Sequence, residues 1–124
     1  YPRCPPWVDP ETGRSFKQPL ADDGSFAPAD AARLAAAVRN FLALVRKHNP
    51  HAVIVWAYGM LGNGLLPLLR DGLDQYRTVS GDERVYLLEL PEARGDTIGA
   101  RQHPGAAAHR AAANCLAEFL RSVL

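Results

Sequence analysis

Two short apolar stretches constrain this chain more than anything else in it: Ala52-Val53-Ile54-Val55-Trp56-Ala57 and Arg84-Val85-Tyr86-Leu87-Leu88-Glu89-Leu90. The first is continuous rather than alternating, as a strand covered on both faces must be. Helical patterns surround them. Leu34, Val38, Phe41, Leu42 and Val45 make one stripe, which predicts a helix over about 29–47 with Pro28 in its first turn and Asn49-Pro50 as its stop. Leu65, Leu68, Leu69, Leu73 and Tyr76 predict a second over about 64–79, capped by Asn63, with Pro67 tolerated in the first turn. Ala108, Ala112, Cys115, Leu116, Phe119, Leu120 and Val123 predict a third, from 104 or 105 almost to 124. Helix, strand, helix, strand, helix is an α/β order with parallel strands and right-handed crossovers. Two strands make a poor sheet, because each shows an unpaired edge and apolar faces to water. The pattern therefore expects further strands from another segment or a partner chain.

Size and charge narrow the class. The 124 residues are 48% hydrophobic and carry a formal net charge of +1, which suits one domain at most. The scattered basic residues offer no face for neutralising phosphates, so no nucleic-acid partner is expected. The longest apolar run is far short of a membrane span. The first residues, Tyr1-Pro2-Arg3-Cys4-Pro5-Pro6-Trp7, have neither an initiator methionine nor the apolar core of a signal peptide. Cys4 and Cys115 have no metal or redox spacing, and Cys115 reads as a small buried thiol on the last helix. Residues 1–27 hold five prolines and turn pairs such as Asp23-Gly24, and read as an irregular arm in which Trp7 and Phe16 are candidate anchors. Residues 28–124 carry the layered pattern.

Ligands of open parallel sheets bind beyond the carboxyl ends of the strands. Two loops leave such ends here, 58–63 and 91–103. The second closes on Gly99-Ala100-Arg101-Gln102-His103-Pro104-Gly105. A histidine on a loop, followed by proline and set just before a helix, is placed to act as a proton acceptor. Taken by itself it also fits a helix-start residue filling a loop corner. Tyr58 and Met60 enter the same crevice, where they line a substrate pocket or pack in the core. His109 falls off the apolar stripe and reads as a surface residue. His48 and His51 are spaced H-x-x-H, but Asn49-Pro50 breaks the helix between them and no third ligand is near, so no metal is expected. Gly59, Gly62 and Gly64, with Glu89 on the next strand, sketch a nucleotide-binding turn. The order is G-x-x-G-x-G rather than G-x-G-x-x-G, which makes this the weaker reading.

The tail ARQHPGAAAHRAAANCLAEFL resembles the last signature block of SGNH/GDSL hydrolases, in which a histidine followed by proline opens the terminal helix. NPHAVIVWAYGMLGNG resembles the strand and loop preceding that block in carbohydrate esterase family 2 and its relatives. PPWVDPETGRSFKQPLADDGSF is similar to the insertion after their asparagine block. The resemblance implies a three-layer α/β/α sandwich with a parallel sheet (SGNH/flavodoxin-like), incomplete in this chain, with 28–124 as the carboxyl-terminal half of the hydrolase domain. It implies ester hydrolysis by a serine, with His103 as the catalytic base, an acetylated carbohydrate or other small ester as substrate, and no cofactor. The serine and oxyanion blocks of the family have no counterpart here. Ser15, Ser25, Ser80 and Ser122 all lack the GDS context. An amino-terminal half, from the same precursor or a second chain, is thus the implied partner. The family's usual acid lies three residues before the histidine, where this chain has Ala100. A backbone carbonyl of the 91–102 loop is the first candidate to orient the ring instead, ahead of Asp96 and Glu92. A third possibility is a truncated or split domain that acts only through a partner, without catalysis of its own.

Overall fold

The structure, a computed structural model, describes residues 7–8, 10–13, 15–16 and 25–124. The expectations for Cys4, for Asp23-Gly24 and for the side chains of Trp7 and Phe16 lie outside what is described. The chain divides into two compact units, Tyr1–Arg33 and Leu34–Leu124. In the first, β1 (Trp7–Val8) pairs antiparallel with β2 (Ser15–Phe16), with Trp7 opposite Phe16 and Val8 opposite Ser15. The segment read as wholly irregular therefore contains a short ladder. Helix α1 (Pro28–His48) begins in this unit on Pro28, and the Ala27 carbonyl accepts the N–H groups of Asp30 and Ala31 at 2.9 and 3.0 Å.

In the second unit, β3 (Ile54–Tyr58) and β4 (Val85–Glu89) pair in parallel, with α2 (Leu66–Ser80) between them in the chain. Helix α3 (Ala106–Val123) follows. The α/β class with a parallel sheet, expected from the order of patterns, is present as a two-stranded sheet. The register sets Ile54 against Val85 and Trp56 against Leu87. Because strand side chains alternate, Ile54, Trp56 and Tyr58 share a face with Val85 and Leu87. That face meets a buried cluster of Val38 and Leu42 from α1 and Leu69, Leu73 and Tyr76 from α2. On the other face, Tyr86 meets Phe119 of α3 edge-on, with ring centroids 5.4 Å apart. Helices therefore lie against both faces, and burial of each large aliphatic side chain contributes about 1.5–3 kcal/mol.

Several boundaries moved, each for a local reason. Strand β3 starts at Ile54 rather than Ala52, because the Ala52 carbonyl accepts from Arg46 Nη1 at 2.6 Å and belongs to the preceding turn. Tyr58, expected in the loop, ends the strand. Asn63 does not cap α2. Leu65 holds the cap position without a side-chain bond, and the Asn63 amide donates to the Glu89 carboxylate instead. Gly81, left-handed at φ +67°, closes α2 by donating its N–H to the Arg77 carbonyl at 2.8 Å. Phe41 is not part of the buried stripe. It is 53% exposed and leans edge-on against Trp56 at 5.5 Å, about 100° round the helix from fully buried Leu42. Cys115 is half-buried rather than enclosed, and its thiol faces the Glu89 carbonyl at 3.7 Å. A sheet two strands wide is too narrow to cover the whole apolar stripe of α3, of which only Ala108 and Ala112 are buried.

Where α1 crosses α2, Gly72 lets the helices touch. A Cβ there would stand 2.6 Å from Val38 Cβ and 2.8 Å from the Ala35 carbonyl oxygen. The amino ends of the strands are tied by Arg46, which pairs with Asp82 and donates to the carbonyls of Asn49 and Ala52. Among the described residues no helix is long and apolar enough to cross a membrane.

Candidate active site

The two loops at the carboxyl ends of β3 and β4 are joined to each other. The Leu90 N–H donates to the Tyr58 carbonyl at 2.7 Å, and the Ala93 N–H to the Met60 carbonyl at 3.0 Å. The Gly62 N–H closes a turn on the Gly59 carbonyl at 2.6 Å, and the Asn63–Glu89 bond ties the first loop to the end of β4. The Tyr58 side chain is half-buried against the core cluster, and Met60 is half-buried in the loop. The geometry thus anchors both residues at the expected sheet end.

The 91–105 segment is not the plain loop its glycines suggested. It contains two 3-10 turns, Gly95–Thr97 and Ala100–Gln102. In the first, the Arg94 N–H donates to Thr97 Oγ1 and that hydroxyl donates to the Arg94 carbonyl, each at 2.8 Å. The second is closed at its neck. The Gly99 N–H donates to the His103 carbonyl at 2.7 Å, the Gly105 N–H donates to the Thr97 carbonyl at 2.8 Å, and Ile98 bridges Pro104. The two glycine backbones touch there. A Cβ on Gly99 would meet Gly105 Cα at 3.0 Å, and one on Gly105 would meet the Thr97 oxygen at 3.0 Å.

His103 sits at this neck, exposed, with its N–H donated to the Ala100 carbonyl at 3.1 Å. Its ring Nδ1 lies 3.0 Å from the Arg101 carbonyl oxygen. A carbonyl can only accept, so the proton of the neutral ring belongs on Nδ1 and the lone pair on Nε2. Among the described residues Nε2 has no partner. Of the three orienting groups entertained for His103, the structure provides the backbone carbonyl. The Glu92 carboxylate accepts from Arg94 Nε at 2.9 Å, and Asp96 makes no bond to the ring. Ala100, three residues before the histidine, contributes its carbonyl to the His103 N–H.

Arg101 and Gln102 were missed as contributors. Both are left-handed, Arg101 at φ +53°, ψ +36° and Gln102 at φ +63°. No residue type here announced it, since glycine or asparagine is the usual sign of such a backbone. His48, His51 and His109 are exposed; His48 and His51 lie far from this neck in the chain, whereas the His109 N–H donates to the Gly105 carbonyl at 3.1 Å. Among the described residues no group of three His, Cys, Asp or Glu side chains is placed to hold a metal ion.

No family model matches the chain, and no curated protein does. Among solved structures it is similar to an acetyl xylan esterase (Est2A) from the rumen bacterium Butyrivibrio proteoclasticus, with 35% sequence identity and a TM-score of 0.89. The similarity covers 95% of this chain and 32% of that one, so the chain spans about a third of the esterase's length. Over nearly its whole extent, and in backbone path as well as in sequence, the chain is therefore esterase-like.

Proposed function

We propose that this chain is the carboxyl-terminal portion of an SGNH-type serine esterase that deacetylates a carbohydrate or a related small ester. In this reading the two strands belong to a wider parallel sheet in a three-layer α/β/α sandwich. The serine, the oxyanion donors and the remaining strands come from an amino-terminal half, in the same precursor or a second chain. His103 Nε2 accepts the serine hydroxyl proton as the oxygen attacks the ester carbonyl. It then returns that proton to the leaving alcohol. Water repeats the cycle on the acyl-enzyme. The Arg101 carbonyl holds the ring in the tautomer this needs, although a neutral oxygen stabilises the imidazolium less than a carboxylate does. Tyr58 and Met60 stand on the substrate side of the crevice.

The observation that carries the reading is an imidazole held at Nδ1 by the Arg101 carbonyl, with no partner at Nε2 among the described residues, placed just before the last helix of an esterase-like chain. A dinucleotide site has less support, because the Glu89 carboxylate it would use for a ribose accepts from Asn63 instead. The test is hydrolysis of p-nitrophenyl acetate by the intact protein that carries this chain. His103→Ala is expected to lower kcat by at least about 10³-fold. The 124-residue chain alone is expected to be inactive until an amino-terminal half with a GDS-type serine is added. Hydrolysis that survives His103→Ala, or no hydrolysis in the intact protein, overturns the reading.

A further inference from the structure

Arg101 and Gln102 are the two non-glycine residues with positive φ among the described residues, and they are adjacent. A residue with a Cβ crowds the following carbonyl oxygen in the left-handed region, so both positions are strained. The strain falls on one particular peptide unit. The direction of the Arg101 carbonyl is set by ψ of Arg101 and φ of Gln102, and these are left-handed at +36° and +63°. That same carbonyl holds Nδ1 of His103 at 3.0 Å. Around it the neck is closed by backbone bonds from Gly99 and Gly105, which hold the strained turn in place. The geometry points to Arg101 and Gln102 as positioning residues that act through backbone handedness rather than through their side chains. Their left-handed pair aims one carbonyl at the imidazole and so selects its Nδ1–H tautomer. A right-handed pair would rotate this peptide and release the ring. The catalytic consequence rests on the proposed role of His103, whereas the tautomer itself does not.

The experiment is nitrogen NMR of the intact protein labelled at histidine, at a pH where the ring is neutral. The His103 signals are identified by their loss in His103→Ala. Wild type is expected to show a protonated Nδ1 and a bare Nε2. Arg101→Val and Gln102→Val place a β-branched residue where the left-handed region is least tolerated. They are expected to move His103 to the Nε2–H form and to lower kcat for p-nitrophenyl acetate by about 10²–10⁴-fold, with KM little changed. Arg101→Gly and Arg101→Asn keep the left-handed region open and are expected to keep the Nδ1–H signal. An Nε2–H ring in wild type, valine variants that retain Nδ1–H, or a glycine variant that loses it overturns the inference. If a valine variant does not fold, the wild-type and Arg101→Asn spectra decide, and Nε2–H in either is fatal. Hydrolysis that survives His103→Ala defeats the esterase reading alone. An Nε2–H ring with hydrolysis still dependent on His103 defeats this inference alone.

Discussion

Arg46 and Asp82 form a two-pronged pair across 36 residues of chain, with Nε 2.7 Å from Oδ2 and Nη2 3.2 Å from Oδ1. Their side chains are 17% and 13% exposed. The pair is a knot rather than a surface contact. Tyr76 donates its hydroxyl to Asp82 at 3.0 Å, and the Arg84 N–H donates to the same carboxylate at 3.1 Å. The end of α1, the turn into β3, the end of α2 and the start of β4 meet there. Burial alone would raise the Asp82 pKa, but bonds from Arg46, Arg84 and Tyr76 and the Arg46 charge outweigh it and leave it lowered. The bond to Asp82 likewise raises Arg46, against a smaller opposing effect of desolvation.

Asp82→Asn is expected to cost about 2 kcal/mol at pH 7, because it strips one partner from a largely buried charged pair. The sign of the pH effect follows from the lowered pKa. The stabilisation is complete above the ordinary aspartate value near 4 and is lost as pH falls through the folded-state value. Melting curves of wild type and Asp82→Asn should therefore converge on acidification. A gap that does not narrow as the pH falls below the ordinary aspartate value would contradict the assignment.

Gly72→Ala tests the crossing of α1 and α2. Alanine gains about 1 kcal/mol of helix propensity. Its Cβ, however, would lie 2.6 Å from Val38 Cβ and 2.8 Å from the Ala35 oxygen. Overpacking of this kind costs about 1–3 kcal/mol, and a backbone oxygen cannot swing away. Urea denaturation is expected to show net destabilisation.

Leu42→Ala and Phe41→Ala are neighbours with different expected costs. Leu42 is 1% exposed and its truncation leaves a cavity, for a loss of about 2–5 kcal/mol. Phe41 is 53% exposed and loses mainly its edge contact with Trp56, about 0.5–1.5 kcal/mol. Equal losses by urea denaturation would overturn the assignment of the core.

Gly105→Ala should harm hydrolysis more than stability. Its Cβ would press on the Thr97 oxygen at 3.0 Å and the Gly99 nitrogen at 3.2 Å, so the neck must open by a few tenths of an ångström. His103 moves with it, and kcat/KM for p-nitrophenyl acetate in the intact protein is expected to fall by about tenfold or more. The melting temperature should shift by only a few degrees.

Elements α1, β3, α2, β4 and α3 were legible because their signals are short-range, whereas the β1–β2 ladder and the two 3-10 turns were not. A stripe such as Leu69, Leu73 and Tyr76 repeats within a few turns, and the run 52–57 needs no partner to read as a strand. The place of His103, between strand β4 and the last helix, followed from the same local reading and from the H-P-G spacing. What was misread lay where a distant group competed. Asn63 was a plausible cap until Glu89, 26 residues away, offered its amide a carboxylate. Ala52 had the makings of a strand residue until Arg46 took its carbonyl.

Sequence alone, then, determined the order α1, β3, α2, β4, α3 and the presence of one loop histidine before α3, since periodicity and turn chemistry act over a few neighbouring residues. Only the tertiary structure decided the rest. It selected the carbonyl that faces the His103 ring, set Arg101 and Gln102 in a hand their side chains disfavour, and joined Arg46 to Asp82. Those outcomes depend on backbone bonds that close the 97–105 neck and on groups far apart in the chain, where no local propensity reaches.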